Sequence, residues 1–113
     1  MKKYLLLIAI IIVISSCSTP KLYNWKGYDT AVYSYIKKSD DESLEDLLKI
    51  YDKLIENTSS ISNTPPPGVL ADYGYLLVKK GEVEKGKELL KKETILYPGS
   101  KKFIDRILKQ LEK

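Results

Sequence analysis

Apolar residues recur every three or four positions along most of this chain, and this spacing constrains the fold more than any other feature. The clearest stretch has its apolar positions at Leu44, Leu47, Leu48, Tyr51, Leu54 and Ile55. Residues at this spacing share one face of an α-helix, whereas a half-buried strand would alternate apolar and polar residues. Ser43, with Asp46 three residues later, is a possible cap for the start of this helix. No stretch shows convincing strand-like alternation, so the sequence predicts an all-α domain.

Four further segments bring the prediction to about five short antiparallel helices. The first runs over 29–38 with Val32, Tyr35 and Ile36 on one side, and the next follows Pro65, Pro66 and Pro67 with inward positions at Val69, Leu70, Tyr73, Leu76 and Leu77. The last two run from about Val83 to Leu96, with Leu89 and Leu90 inward, and from a cap at Ser100 through Phe103, Ile104, Ile107, Leu108 and Leu111.

Residues between these segments are typical of helix ends and loops. The prolines suit a first helical turn, where the missing N–H would have no partner. Gly81 fits a left-handed residue after a helix, and Pro98 and Gly99 stop the helix before them. Residues 57–64 are polar and without a pattern, so they are predicted to form a loop.

The first sixteen residues have the plan of an export signal. Lys2 and Lys3 provide a positive start, and residues 4–14 form an uninterrupted apolar run. A transmembrane helix needs about 20 apolar residues, so this run is too short to span a bilayer. Residues 1–16 are therefore predicted to be a signal peptide, with 17–26 a tether and 27–113 the helical domain.

The end of this leader resembles the lipobox of bacterial lipoproteins. Ser15 and Ser16 are small residues directly before Cys17, the position at which that family attaches a diacylglyceryl group to the thiol. The resemblance implies that Cys17 is lipidated and becomes the first residue of the mature protein. It also implies outer-membrane sorting, because Ser18 stands where Asp would cause retention. The alternative is an uncleaved anchor, or an ordinary secretory leader with a chance cysteine.

Composition excludes most catalytic chemistry. The chain contains no His and one Cys, so it has no internal disulfide, Cys-His nucleophile, Ser-His-Asp triad or His-ligated metal. Asp40, Asp41 and Glu42 are explained more simply by the positive end of a helix dipole than by a metal site. Two of the four net positive charges belong to Lys2 and Lys3, and the other lysines alternate with acids, which argues against nucleic-acid binding. We expect a non-enzymatic protein with no cofactor beyond the lipid on Cys17.

Residues 67–100 resemble a tetratricopeptide repeat. If Pro98 is the repeat's closing proline, then Leu70, Tyr73, Leu77 and Leu90 stand at large positions, and Gly74 and Gly86 at small ones. The resemblance implies paired antiparallel helices that approach closely at the glycines. Glu93 departs from the pattern, since it occupies a third small position and is too large and charged for a tight crossing.

The longer pattern resembles the DUF4810 family of small bacterial lipoproteins. The residues that carry it are Tyr23 to Tyr28, Ala31 to Tyr35, Pro66 to Gly68, Ala71 to Leu77, and Glu93 with Pro98 to Ser100 and Phe103 to Arg106. Members of that family are typically encoded beside a CsgG-like lipoprotein. The resemblance implies a role in a shared envelope assembly, with no established activity.

Aromatic residues are concentrated in two places, just beyond the predicted anchor at Cys17 and around Gly74. The partner-binding candidates are Tyr23, Trp25, Tyr28, Tyr33, Tyr35, Tyr73 and Tyr75. Tyrosine rings can serve as core, but Tyr and Trp are also enriched at interface hot spots. Tyr33 and Tyr35 cannot both face inward on one helix.

Two functions remain open at this stage. The first is a membrane-anchored adaptor or accessory subunit that binds an envelope protein, such as a CsgG-like lipoprotein. The second is a structural or carrier lipoprotein that holds a peptide or a small apolar ligand between its helices.

Overall fold

The structure is a computed structural model, and it describes residues 1–14, 19–58 and 60–113. These residues form six α-helices and one short 3₁₀ turn. The elements are α1 (Lys2–Ile14), α2 (Tyr28–Lys38), α3 (Asp41–Glu56), α4 (Val69–Lys80), α5 (Val83–Leu96), the 3₁₀ turn Pro98–Ser100, and α6 (Lys101–Leu111). No strand occurs among the described residues. The all-α fold is thus confirmed, with five helices after α1.

Consecutive helices pack against one another from α2 to α6, and the α4–α5 hairpin has the most extensive contact. Two residues, Gly81 and Glu82, connect that hairpin. Gly81 is in the left-handed conformation with φ +102°, and its N–H donates back to the last turn of α4. This is the role predicted for Gly81, because a residue with a Cβ would be strained there.

Helix α4 lies between two groups of buried residues. On the side of α3 the core consists of Leu47, Leu48, Tyr51, Leu54, Val69, Tyr73 and Leu77. On the side of α5 and α6 it consists of Ala71, Leu90 and Ile104, with Ile107, Leu108 and Leu111 packed against them. Each fully buried leucine or isoleucine contributes about 1.5–3 kcal/mol. The position of α4 is therefore fixed from both sides.

Helices α4 and α5 cross with their backbones in contact at two glycines. A Cβ on Gly74 would lie 2.6 Å from the carbonyl oxygen of Gly86, and a Cβ on Gly86 would meet the carbonyl oxygen of Gly74 in turn. Glycine is needed at both places because any side chain would force the helices apart. The close approach predicted at these two residues is present.

Glu93 fits into the crossing because it has a capping role. It is only 2 % exposed, and its Oε1 accepts a hydrogen bond of 2.7 Å from the backbone N–H of Gly68, just before α4. A carboxylate at a helix N-terminus is favoured by the helix dipole. Its size and charge were expected to conflict with a tight crossing, but they serve the start of the neighbouring helix instead.

Three predicted helix starts differ in detail. Asp40, and not Ser43, caps α3: its carboxylate accepts a 2.8 Å hydrogen bond from the Ser43 N–H, and hydrogen bonding from Ser43 lowers the pKa of Asp40. The three prolines precede α4, which begins after the left-handed Gly68. Ser100 makes no side-chain cap, because its hydroxyl donates to the carbonyl of Tyr97 within the 3₁₀ turn.

Two residues assigned to inward faces are exposed. Phe103 is 63 % exposed on α6, and Ile36 is exposed at the end of α2. Ile104 takes the buried position on α6 that Phe103 was expected to share. Helix α6 packs on α5 through a face that is narrower than the apolar stripe in its sequence.

Candidate functional site

A row of four aromatic rings runs from the surface into the core. The centroids of Trp25 and Tyr28 are 5.1 Å apart, those of Tyr28 and Tyr51 are 6.0 Å apart, and those of Tyr51 and Tyr73 are 5.5 Å apart. Tyr51 and Tyr73 are stacked, with 11° between their planes. We call this row the aromatic ladder. It joins the segment before α2 to helices α2, α3 and α4.

Local backbone structure explains how Trp25 reaches Tyr28. Gly27 has φ +81°, and the N–H of Tyr28 donates to the carbonyl oxygen of Trp25 at 3.1 Å, which makes a tight turn before α2. Ile50 of α3 closes over this turn, 3.1 Å from where a Cβ on Gly27 would lie. The turn therefore needs glycine both for its conformation and for its contact with α3.

At the inner end of the ladder, the hydroxyl of Tyr73 donates a 2.6 Å hydrogen bond to Oδ1 of Asp52. Burial, followed by this hydrogen bond, raises the pKa of Tyr73. Tyr73 is buried within the core. Its ring and hydroxyl are thus both committed to contacts within the domain.

A groove beside the ladder is lined by four tyrosines and one aspartate. We call it the tyrosine groove; its walls are Tyr28, Tyr35, Tyr51, Tyr75, Asp72 and the apolar Val32, Leu47 and Leu76. Helices α2, α3 and α4 all contribute, and the cavity has a volume of about 200 Å³. Asp72 and Tyr75 are exposed at its rim, whereas Tyr51 is buried at its base. The groove is small, aromatic and open to solvent.

Asp72 carries the charge of the groove. The hydroxyl of Tyr28 donates to its Oδ2 at 3.5 Å. The surrounding rings remove part of the hydration of the carboxylate, which raises the pKa of Asp72 although the residue still reaches solvent. Burial, and then the charge of Asp72, raise the pKa of Tyr51. Within residues 1–14, 19–58 and 60–113, no lysine or arginine forms an ion pair with Asp72.

The segment before α2 is fastened to the loop between α3 and α4. The N–H of Ile61 donates to the carbonyl of Lys21 and that of Ser62 to the carbonyl of Leu22, both at 3.3 Å. The side-chain amide of Asn24 donates to the carbonyl of Asn57 at 3.1 Å. Residues 21–24, predicted as part of a tether, therefore pack on the helical domain.

The structure divides the predicted partner-binding residues into groups. Tyr28, Tyr35 and Tyr75 line the tyrosine groove. Trp25 is 42 % exposed at the outer end of the ladder, and Tyr23, on the fastened segment, is half-buried.

Tyr33 lies apart from the groove. It is 64 % exposed, with the Lys37 ammonium 5.9 Å from its ring centroid. Tyr35 on the same helix is half-buried, so the two rings do face different sides as their spacing requires. Tyr73 belongs to the core, and Cys17 lies outside the described residues.

Sequence reasoning missed two residues of the groove. Tyr51 was assigned to the α3 core stripe, and its ring does pack there, but it also forms the base of the groove. Asp72 was not singled out. The available signal was its spacing: an acid three residues before Tyr75 lies on the same helical face as that ring.

Metal and membrane-spanning features are absent from the described part of the chain. In residues 1–14, 19–58 and 60–113, no three acidic or cysteine side chains come together as a metal site would require. No helix in these ranges has the length and apolar character that a membrane crossing requires.

A family model matches the part of the chain that contains the groove. The model described as domain of unknown function DUF4810 matches residues 22–107, well over half of the chain. The chain belongs to the DUF4810 family. The DUF4810 match runs from the fastened segment into α6, so it includes the ladder and the whole tyrosine groove. No curated protein and no solved structure matches this DUF4810 chain.

Proposed function

We propose that this DUF4810 chain is a lipid-anchored, non-catalytic adaptor or accessory subunit of an outer-membrane assembly in the bacterial envelope. In this proposal residues 1–16 are a signal peptide and Cys17 carries the lipid. The partner is an envelope protein such as a CsgG-like lipoprotein. The helical domain supplies the contact surface.

The observation that carries the adaptor proposal is the exposure of aromatic rings that the core does not use. Trp25 and Tyr75 are 42 % and 40 % exposed, and neither belongs to the two buried clusters. Large amphipathic rings at a surface are the residues that most often dominate binding energy at interfaces. The ladder also gives Trp25 a fixed position, which lowers the entropy that binding would cost.

The fastened segment supports a position close to the membrane. The carbonyl of Lys21 is already bonded to the α3–α4 loop. Lys21 is four residues after Cys17, and four residue steps span at most about 14 Å. A lipid on Cys17 would thus hold Trp25 and the loop near the bilayer surface, within reach of other anchored proteins.

The two larger cavities give less support to the alternative that the protein is a carrier. Two cavities, of about 570 and 710 Å³, lie beside the fastened segment. Charged and amide side chains are five of the eight lining residues of the first cavity and four of the seven of the second, beside the apolar or aromatic Leu22, Tyr23, Trp25, Ile50 and Leu54. Pockets that bind apolar ligands are lined predominantly by hydrophobic side chains.

Purification with the lipid intact tests the adaptor proposal. After crosslinking in the native envelope, we expect a stoichiometric complex that contains another envelope protein. Trp25→Ala should lower its capture at least about ten-fold while far-ultraviolet circular dichroism stays unchanged. Phe103→Ala is the control, because it removes an even more exposed ring from α6, away from the ladder. Capture that is equal in both variants contradicts the proposed contact surface.

The anchor is tested separately. Radioactive palmitate should label the wild-type chain and fail to label Cys17→Ala. Labelling that persists in this variant would show that the lipid is attached elsewhere, whatever the capture experiment finds.

A further inference from the structure

We propose that the tyrosine groove binds the ammonium group of a lysine side chain on the partner protein. That the lysine comes from a partner protein rests on the proposed adaptor function. The chemistry of the site does not depend on that function. Three helices bring together the rings and the carboxylate that such a group requires.

The electrostatics of the groove favour a cation. Tyr28, Tyr35 and Tyr75 line the groove, and tyrosine rings carry the negative part of a quadrupole over which ammonium groups bind. Asp72 adds a full negative charge at the rim. Rings and carboxylate therefore act in the same direction, and both repel an anionic ligand.

No lysine or arginine in residues 1–14, 19–58 and 60–113 forms an ion pair with this carboxylate. Lys79 has its ammonium 5.1 Å from the centroid of Tyr75, yet Lys79 does not line the groove. A partly dehydrated carboxylate without a cation gains free energy when one arrives.

Hydrogen-bonding capacity favours a primary ammonium over a quaternary one. The contact from Tyr28 to Asp72 is 3.5 Å, longer than the 2.5–3.0 Å of a well-formed O–H···O bond. The carboxylate thus retains acceptor sites. A lysine ammonium has three N–H donors to fill them, whereas a quaternary ammonium has none.

The size of the groove favours one side chain. Its volume of about 200 Å³ is below the roughly 300–1,000 Å³ of pockets for small-molecule ligands. Val32 and Leu76 provide apolar wall on which the methylenes of a lysine that lies across the groove can pack, with its ammonium at Asp72.

Binding of a lysine peptide to the mature, lipidated protein in detergent micelles tests the site directly. The probe is the blocked tripeptide Ala-Lys-Ala, followed through the ring resonances of Tyr28, Tyr35 and Tyr75. We expect saturable shifts of these resonances. Asp72→Asn should weaken binding at least about ten-fold, because it removes a charge-assisted hydrogen bond.

Two controls separate charge from apolar contact. Asp46→Asn removes the same charge from the exposed side of α3, outside the groove, and should leave binding unchanged. The tripeptide Ala-norleucine-Ala has similar methylenes without the ammonium and should not bind. Equal binding of the norleucine peptide, or of the lysine peptide to Asp72→Asn, overturns the inference.

The outcome is independent of the capture experiment. Saturable binding of the lysine peptide without a captured partner would support the site and contradict the adaptor function. A captured partner with no shift at the three tyrosines would support the adaptor function and contradict the lysine site.

Discussion

Replacing Gly74 by alanine is the most direct test of the α4–α5 crossing. The new Cβ would lie 2.6 Å from the carbonyl oxygen of Gly86 and 3.2 Å from carbon atoms of Leu89 and Leu90. Close carbon–oxygen contacts in proteins are about 3.3 Å or longer, so the helices must separate by about 0.7 Å. The obstructing atom is backbone, and no rotamer change can move it aside.

The expected cost follows from this separation. Overpacking of this kind destabilises by about 1–3 kcal/mol, and a gap of 0.5–1 Å forfeits about a quarter to a half of each dispersion contact along the hairpin. Alanine recovers about 1 kcal/mol through its higher helix propensity. With the lost dispersion contacts included, we expect a net loss of about 1–2 kcal/mol, which corresponds to a fall in Tm of about 4–16 °C for a domain of this size.

Thermal and urea unfolding of the mature protein, followed by circular dichroism at 222 nm, measure the effect. Gly99→Ala is the matched control: nothing lies within 4 Å of its Cβ position and its φ is not left-handed, so its stability should change by less than about 0.5 kcal/mol. Gly86→Ala should resemble Gly74→Ala. The double variant should cost less than the sum of the two, since both substitutions relieve the same contact. A Gly74→Ala protein as stable as wild type would refute the close crossing.

Three further predictions concern buried and partly buried polar groups. Glu93→Ala should cost about 2 kcal/mol in urea unfolding, because the N–H of Gly68 loses its acceptor. Glu93→Gln keeps an acceptor oxygen and should stay within about 1 kcal/mol of wild type. Equal losses of stability in the two variants would contradict the capping role of Glu93. Tyr73→Phe should cost about 1 kcal/mol or less in the free energy of unfolding, because it removes the hydrogen bond to the exposed Asp52 and keeps the stacking on Tyr51. A variant of near-neutral stability whose near-ultraviolet spectrum is disrupted would contradict the ring stack. The raised pKa of Asp72 means that the folded state holds the carboxyl proton more tightly than the unfolded chain does, so the contribution of Asp72 to stability is most favourable at low pH and is lost as pH rises through the raised pKa. Asp72→Asn should therefore be at least as stable as wild type at pH 7, and the difference should shrink in acid. A variant that is less stable than wild type at pH 7 would contradict this direction of the pKa shift.

The sequence predicts the helices of this domain well because their apolar spacing is local information. The bounds of α5 agree with the prediction, and the spacing of Leu70, Tyr73 and Leu77 predicts the buried face of α4. Gly74 and Gly86 also predicted the close crossing of α4 and α5. In each of these cases a residue's role depends on its own backbone or on its nearest helix.

Roles that depend on a third element could not be predicted in the same way. Glu93 conflicts with a local repeat pattern, and only the placement of Gly68 beside it reveals the cap. Phe103 continues an apolar stripe, but its side chain is mostly exposed on α6. Asp72 becomes part of a site only because α2 places Tyr28 against it.

Helix α4 connects the stability of the domain to the tyrosine groove. Asp72 and Tyr75 line the groove from α4, and Gly74 between them sets the distance from α4 to α5. A shift of about 0.7 Å at this glycine would move α4 toward α3 and change the spacing of Asp72 and Tyr28, which already lies at the limit of a hydrogen bond. Gly74→Ala should thus weaken binding of the lysine peptide even at temperatures where the variant is fully folded. Glu93→Ala, which loosens the start of α4 without moving the crossing, should affect stability more than binding.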